Sequence, residues 1–380
     1  MSRLARRGFD ALLPGDPETA LLRSAHLPPE KAREAWRSFR AEAGDLTRFL
    51  TAERPRRKAL APLLYRVLRD RDLPLRDSER TYLKTAYFRE QHRSPRYWEL
   101  VDEVLTRLGA EGIEAIPLRG TAFGRELYAD PFLRHTHDAE LLVREESLAR
   151  AARAVAGGGG WEPAPELTGE QGRSFVHASG LPVLLWANPF RGPHLDPPLG
   201  ALWDRSRRVG GEPPGRRSLS AADHLLLVLG HAAWCEARES LLWVCDAVRL
   251  LASEEPDWRV LEETAARCRL RVPAYRMTAY LATELEAAVP EETLARLERG
   301  SRRVEPLERD AVLRSARAGP EGLGGLLETA DGPADRARLL WRILLPSPAY
   351  LRRVARPDAS SPAAVLYVER IFSYLGTRFG

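Results

Sequence analysis

The chain has 380 residues, a formal net charge of +5, and fractions of apolar (44%) and charged (29%) residues that are ordinary for a globular protein. Its length predicts two or three packed units with a sizeable core, and its composition argues against disorder throughout. No apolar run approaches the ~18 residues of a membrane span, and the N-terminus lacks the apolar core of a signal peptide. We therefore expect a cytoplasmic protein without a membrane partner.

The basic residues and the cysteines argue against two kinds of site. The positive charge lies almost entirely on arginine, since Lys31, Lys58 and Lys84 are the only lysines, and it forms no obvious basic stripe. A small net charge spread over this length does not favour nucleic acid as a partner. Three scattered cysteines are too few for a disulfide framework or a Cys-x-x-Cys zinc site, which fits a reducing compartment.

The first region, residues 1–108, has the apolar spacing of packed helices. Apolar side chains recur at helical intervals over 60–68 and again over 100–108. Gly109 stands where a helix C-cap is expected, because glycine tolerates the left-handed conformation found there. The pattern therefore predicts an N-terminal helical region that ends at residue 108.

The second region, residues 109–217, alternates short strand and helix patterns, which predicts a small sheet with helices. The expected elements are a strand over 113–118, a helix after Gly120, a strand that ends at 141–143, a helix over 145–156 that stops at Gly157, and a hairpin of 175–177 with 181–186. Residues 188–217 are rich in proline, glycine and arginine, which indicates a boundary or an active-site loop.

The third region, residues 218–380, is helical again. Ser220 offers an N-cap with Asp223 three residues later. The expected helices cover 224–233, 241–251, 306–317, 334–345 and 363–375. Helices, then a small sheet, then helices make an α+β chain.

A carboxylate pair stands just before the apolar run of the second strand. Asp138 and Glu140 are two residues apart, so in a strand both side chains point the same way, roughly 6.6 Å apart along it. Magnesium prefers oxygen ligands and is often bound by one or two carboxylates together with substrate phosphates. The pair therefore points to phosphate chemistry, and the alternative is a solvated strand edge or a salt bridge to Arg134 or Arg144.

The residues around this pair form a wider pattern that resembles the uncharacterised nucleotidyltransferase family of bacteria, a branch of the polymerase-β-like superfamily. Family members carry Leu-Lys-Gly, Tyr-x-Asp-Pro, an arginine and Asp-x-Asp-Leu-Leu-Val in this order. The corresponding residues here are Leu118-Arg-Gly120, Tyr128-Ala-Asp-Pro131, Arg134 and Asp138-Ala-Glu-Leu-Leu-Val143. Residues 241–246, 345–351 and 367–370 resemble later family motifs, so the resemblance spans roughly residues 60 to 375.

The resemblance implies a small mixed-sheet nucleotidyltransferase core, residues 109–217, flanked by the N-terminal and C-terminal helical regions. It also implies that Asp138 and Glu140 are catalytic and hold Mg²⁺ on a nucleoside triphosphate, with two ions when transfer occurs.

The motif residues next to the pair are implied to bind the nucleotide and its phosphates. Arg119 and Arg134 would neutralise phosphate charge, Gly120 would permit close approach of the backbone, and Thr121 would donate to a phosphate oxygen.

Two departures from the family pattern bear on catalysis. Arg119 replaces the family's lysine, which keeps the charge but changes reach and geometry. These enzymes usually take a third carboxylate from a later strand, where family members tend to read Glu-Leu-His-Trp. The corresponding residues here are Val183-Leu-Leu-Trp186, so apolar residues replace both the acid and the histidine. The changes remove the expected base for an acceptor hydroxyl and one ligand of a catalytic metal.

Three histidines and a later aspartate are further candidates. His177 precedes the changed strand and is a candidate substitute base. His135 and His137 are expected to bond the loop rather than to ligate a transition metal. Asp246 is a candidate active-site residue, and its alternative role is capping or pairing with a core arginine.

The sequence thus predicts a Mg²⁺-dependent nucleotidyltransferase that moves a nucleoside monophosphate from a nucleoside triphosphate to a small-molecule, peptide or protein acceptor, in a biosynthetic or modification pathway. The alternative is a catalytically degenerate protein of the same fold that binds a nucleotide or a partner. A carboxylate of Glu166, Glu170 or Asp196 within reach of the Asp138–Glu140 pair would favour the enzyme.

Overall fold

The computed structural model describes residues 9, 13–52, 55–168, 172–190, 195–211, 213–233, 240–317, 333–351 and 365–367. The helices are α1 (Asp16–His26), α2 (Pro29–Ala43), α3 (Leu46–Thr51), α4 (Pro55–Lys58), α5 (Ala61–Asp70), α6 (Asp77–Ala110), α7 (Arg119–Glu126), α8 (Leu148–Ala156), α9 (Leu199–Arg205), α10 (Ala221–His231), α11 (Leu242–Ser253), α12 (Trp258–Arg267), α13 (Arg271–Glu284), α14 (Glu291–Arg302), α15 (Pro306–Arg317), α16 (Pro333–Leu344) and α17 (Pro348–Tyr350).

The strands are β1 (Ala115–Pro117), β2 (Ala139–Val143), β3 (Trp161–Pro163), β4 (Gly172–His177), β5 (Pro182–Trp186), β6 (Arg207–Arg208) and β7 (Arg217–Ser218). Short 3₁₀ turns cover Pro131–Leu133, Glu145–Ser147 and Pro165–Leu167. The larger sheet has five strands in the order β1-β2-β5-β4-β3, and β6 pairs with β7 in a separate ribbon. Since β2 is parallel to β5 and the other pairs are antiparallel, the larger sheet is mixed.

The two faces of the larger sheet pack against different helices. Leu141 and Val183 point to one face, where they join a hydrophobic cluster with α6 and α8. Leu142 and Leu184 point to the opposite face, in a larger cluster that includes α1, α2 and α10 to α13. Because side chains alternate along a strand, Glu140 lies on the second face with Leu142.

The N-terminal and C-terminal helices contact each other as well as the sheet. The Thr19 and Tyr280 hydroxyls are 3.0 Å apart, and Nε2 of His26 lies 3.3 Å from Sγ of Cys245. The α+β fold with helices on both sides of a small mixed sheet is therefore confirmed. In the part of the chain that the structure describes, no helix is both long and apolar enough to cross a membrane.

Most of the predicted elements are present, and one boundary prediction is wrong. The hairpin turns at Gly180 as expected, and the hydroxyl of Ser220 caps α10 by accepting from the Asp223 N–H at 3.2 Å. Gly109 is not a C-cap, because α6 continues to Ala110. A Cβ at position 109 would lie 2.4 Å from the Pro214 carbonyl oxygen, so close packing explains this glycine. The helix expected over 363–375 lies outside the described residues except for 365–367.

Candidate functional site

A cleft of about 330 Å³ lies on the face of the sheet that carries Glu140. Its walls bring Asp138 and Glu140 together with Arg119, which is the first residue of α7. The side chain of Asp138 is 22% exposed, whereas that of Glu140 is only 6% exposed. The two carboxylates therefore share one cleft, with Asp138 nearer to solvent.

Both carboxylate oxygens of Glu140 have partners within the protein. Nη2 of Arg119 donates to Oε2, and the indole N–H of Trp186 donates to Oε1 at 3.2 Å. Arg119 adopts a left-handed backbone with φ of +45°, which is unfavourable for a residue with a side chain. The turn between β1 and α7 thus holds a guanidinium directly against the second acid of the motif.

Arg134 and Arg144, the two arginines named as alternative partners of this pair, contact other groups. Arg134 pairs with Asp246, and the guanidinium of Arg144 stacks 4.5 Å from the centre of the Trp203 ring. Arg119 is instead the cation that pairs with Glu140.

Arg134, predicted from the sequence to bind a phosphate, lines the cleft and is paired with Asp246. Its Nε and Nη2 atoms donate to the Asp246 carboxylate at 2.8 to 3.2 Å, and the Tyr128 hydroxyl donates to the same carboxylate at 2.8 Å. Burial, and then the charge of Asp246, raise the pKa of Tyr128 well above its ordinary value, so the phenol stays a donor. Asp246 therefore pairs with a core arginine and links the loop of residues 134–138, called the cleft loop, to α11.

The contact of Gly120 with this arginine explains why position 120 is a glycine. A Cβ on Gly120 would lie 2.4 Å from Nη1 of Arg134 and 2.9 Å from Cγ2 of Thr136. The group that approaches Gly120 closely in the structure is thus the side chain of Arg134.

The position of Thr121 contradicts the expectation that it donates to a phosphate. Its side chain is buried, and its hydroxyl accepts from the Glu140 backbone N–H at 2.9 Å and lies 3.2 Å from the Tyr97 hydroxyl. Tyr97 in turn donates to the Asp138 backbone carbonyl at 3.0 Å. Burial raises the pKa of Tyr97, which keeps this donor protonated. Thr121 therefore aligns the strand that carries the acids instead of facing the cleft.

A histidine and a buried glutamate form a second polar group in the cleft wall. Nδ1 of His135 lies 2.9 Å from Oε1 of Glu90, and Nη2 of Arg93 donates to Oε2 of Glu90 at 2.8 Å. Arg93 also donates to the carbonyl of Thr136, which ties the loop to α6. The ring of His137 is stacked on that of His135 and is 74% exposed.

Several cleft residues were missed by sequence reasoning because they come from helices distant in the chain. Lys58 at the end of α4 and Arg89 on α6 add positive charge, and Ser240 and Leu242 at the start of α11 close the cleft. The available signal was weak: Lys58 is one of three lysines in a chain whose cations are otherwise arginine.

The third carboxylate has no substitute among the described side chains near Glu140. The register places Leu184 beside Glu140, whereas Val183 points to the opposite face. Asp196 is exposed and lies 3.9 Å from Arg269, away from the cleft lining. The side chain of Glu166 and the whole of Glu170 lie outside the described residues.

His177 does not reach the cleft. Its ring packs against Trp161 at the far side of the sheet, and its Nδ1 lies 2.8 Å from the Ser179 hydroxyl. The structure therefore gives this histidine a role in the hairpin and no contact with the acids that it was expected to assist.

Asp138 and Glu140 fit a hard cation by their chemistry, since magnesium takes one or two carboxylates and completes its shell with phosphates and water. In the described ranges no cluster of three or more His, Cys, Asp or Glu side chains is arranged to hold a metal ion without a substrate. An ion bound by both acids would have to displace the Arg119 guanidinium from Glu140.

A comparison with protein families gives a match that covers the cleft. The family model described as an uncharacterised nucleotidyltransferase matches residues 42–286, which is more than half of the chain. The matched range includes the sheet, α6 and α11, and hence all cleft residues named above. Comparisons with curated proteins and with solved structures gave no match.

Proposed function

Because the chain belongs to the family of uncharacterised nucleotidyltransferases, we propose that it transfers a nucleoside monophosphate from a nucleoside triphosphate to an acceptor. The observation that carries this proposal is the single cleft in which the Asp138–Glu140 pair faces cations from three helices, Lys58, Arg89 and Arg119. A triphosphate is strongly anionic, and phosphoryl-group chemistry depends on positioning and charge stabilisation more than on covalent steps.

Asp138 and Glu140 are the residues that would hold Mg²⁺. When bound, the metal orients the attacking oxygen and stabilises the leaving pyrophosphate, with two ions in the full arrangement. Arg119, once displaced from Glu140, becomes available to pair with a phosphate oxygen through its fork of donors.

The remaining groups hold the nucleotide and shape the cleft. Lys58 is exposed at the cleft edge, and the Arg89 side chain is 70% exposed with its Nε 3.9 Å from Glu90. Both cations are therefore accessible to outer phosphates. Arg134 acts indirectly, because its pairing with Asp246 fixes the loop that leads to Asp138.

The acceptor is a small molecule, a peptide or a protein, and the setting is a biosynthetic or modification pathway in the cytoplasm. The acceptor classes and the pathway are proposed from the reaction that the family name describes. Nucleic acid is not proposed as the acceptor, because the sequence has no basic stripe that would favour it.

One observation favours a second candidate function, nucleotide binding without transfer. The strand next to Glu140 carries the apolar Val183 and Leu184 and supplies no third acid, and Arg119 neutralises Glu140. A protein of this kind would use the same cleft and the same metal-binding acids.

The experiment is a thermal-shift screen of ATP, GTP, CTP and UTP, each with and without Mg²⁺. A ligand that binds the native state raises the melting temperature by mass action. We expect at least one nucleotide to stabilise the protein only with Mg²⁺, and the Asp138→Asn plus Glu140→Gln double variant to lose the shift. The matched control is Glu145→Gln plus Glu146→Gln, two exposed acids just beyond β2. An equal shift in both double variants would refute the site.

A further inference from the structure

The cleft contains a histidine held by a buried carboxylate. The family's third acid is replaced by apolar residues, and the position beside Glu140 is Leu184. Apart from Asp138 and Glu140, the described side chains of the cleft lining that can accept a proton from an acceptor hydroxyl are His135, His137 and Glu90. Their burial and hydrogen-bond partners show which of the three is suited to act as the base.

Glu90 is suited to orient a base and not to act as one. Its side chain is 3% exposed, and its two oxygens are engaged by His135 and Arg93. Burial alone would raise the pKa of Glu90, but the hydrogen bonds that it accepts from His135 and Arg93, together with the charge of Arg93, outweigh burial and lower the pKa. Glu90 is therefore ionised at neutral pH and can only accept hydrogen bonds.

The ionised carboxylate fixes the tautomer of the neutral histidine. Because Oε1 of Glu90 accepts, Nδ1 of His135 carries the proton and Nε2 carries the lone pair. The side chain of His135 is 31% exposed and lines the cleft that holds Asp138. Among the residues with described positions, none forms a hydrogen bond with its Nε2.

The neighbouring histidine lacks this support. His137 is 74% exposed, and its nearest carboxylate, that of Asp138, is 3.9 Å from Nε2. Asp138 is also the acid proposed to hold the metal, so it is not available to orient a base.

We propose that His135 is the general base of the transfer reaction and that Glu90 is its positioning residue, an inference that rests on the proposed function. The acceptor oxygen bonds to the α-phosphorus, while the bond from that phosphorus to the bridging oxygen breaks. Pyrophosphate leaves with the bonding electron pair, and Nε2 of His135 takes the hydroxyl proton and releases it to water. The step needs no other reactant than the triphosphate and the hydroxyl compound.

The charged and titratable groups that surround His135 in the cleft are Lys58 from α4, Arg89, Glu90 and Arg93 from α6, and Arg134, His137 and Asp138 from its own loop. The Arg119–Glu140 pair lines the same cleft. A variant of His135 therefore has to be compared with a control variant in which all of these charged groups are unchanged.

The test measures pyrophosphate release from the four Mg²⁺-nucleotides with excess glycerol as the probe hydroxyl, over a range of pH. His135→Gln keeps a polar side chain, and we expect it to lower the rate by about 10²–10⁴-fold, the usual contribution of a general base. Nucleotide binding by thermal shift should be unchanged, and the pH profile of the rate should differ from that of the wild type. Glu90→Gln should lower the rate with an unchanged KM for nucleotide. His92→Gln, an exposed histidine on α6, is the matched control.

Each other outcome overturns a defined claim. Pyrophosphate release by His135→Gln within about twofold of wild type refutes the base and leaves the proposed function intact, because a true base contributes far more. If His135→Gln loses nucleotide binding as well as pyrophosphate release, His135 only stabilises the loop and is not the base. No release by the wild type, with Mg²⁺-dependent binding intact, refutes transfer to a small hydroxyl compound such as glycerol and the base for that reaction.

Discussion

Arg119 and Glu140 form an ion pair inside the cleft, and their side chains are 5% and 6% exposed. The arginine contacts the second acid of the proposed metal site. A metal ion held at the proposed site would compete with this guanidinium for the same carboxylate.

Replacement of Arg119 by methionine should have opposite effects on the two ligands. Glu140 loses its competitor, so Mg²⁺ alone should bind the variant about tenfold more tightly, a change of about 1.4 kcal/mol. The nucleotide selected by the screen should bind more weakly, because a phosphate partner is lost. Isothermal titration calorimetry at pH 8 measures both affinities.

Arg96→Met is the control for this prediction, because Arg96 is exposed on α6 and pairs with Glu99. It should leave both affinities unchanged. If Arg119→Met weakened Mg²⁺ binding, competition at Glu140 would be the wrong account.

Asp246→Ala should destabilise the protein strongly. The change leaves the guanidinium of Arg134 buried without its carboxylate, and breaking a buried pair in this way costs about 3–5 kcal/mol. Urea unfolding measures the loss. Asp196→Ala is the matched control, since Asp196 is 65% exposed and lies 3.9 Å from Arg269, and it should cost less than about 1 kcal/mol. Similar losses in the two variants would show that Asp246 is no anchor.

Gly120→Ala should be destabilising because of its contact with Arg134. The added Cβ would meet Nη1 of Arg134 at 2.4 Å, and overpacking of this kind costs about 1–3 kcal/mol. Gly300→Ala, inside α14 with open space around it, should instead stabilise by about 0.5–1 kcal/mol through helix propensity. Chemical unfolding of the two variants compares them, and a neutral Gly120→Ala would disprove the close approach.

Glu308 should make stability depend on pH. Burial raises its pKa from 4.5 to about 7, so its folded form binds the proton more tightly than its unfolded form. This contribution is fully present below pH 4.5 and is lost as pH rises through 7, a change of about 3 kcal/mol.

The difference in unfolding free energy between Glu308→Gln and wild type isolates this group, because buried histidines titrate in both proteins. We expect the difference to grow in favour of the variant between pH 4.5 and 7, as measured by urea unfolding at each pH. A difference that stays constant over this range would contradict the burial of an acid at this position.

Local patterns in the sequence were sufficient for the strand that carries the acids. The alternation of Asp138 and Glu140 with an apolar run placed both side chains in one cleft, and the hairpin turn at Gly180 and the cap at Ser220 follow equally local rules. These features depend on neighbours only a few residues away.

The partners of the site residues could not be predicted, because they come from distant parts of the chain. Arg134 pairs with Asp246, 112 residues later, and His135 pairs with Glu90, 45 residues earlier. Spacing contains no information about which distant carboxylate a cation meets. Thr121 illustrates the same limit, since its burial depends on how α7 packs on β2.

The most direct test of the proposed site is a calorimetric titration of wild type and Asp138→Asn with the nucleotide selected by the screen, with and without Mg²⁺. Asp138 is partly exposed and lies outside the Arg119 ion pair, so the variant is expected to fold. We predict that the variant loses at least about tenfold in affinity with Mg²⁺ and nothing without it. Equal affinities of the two proteins for the Mg²⁺-nucleotide would contradict the assignment of the cleft as a metal-dependent nucleotide site.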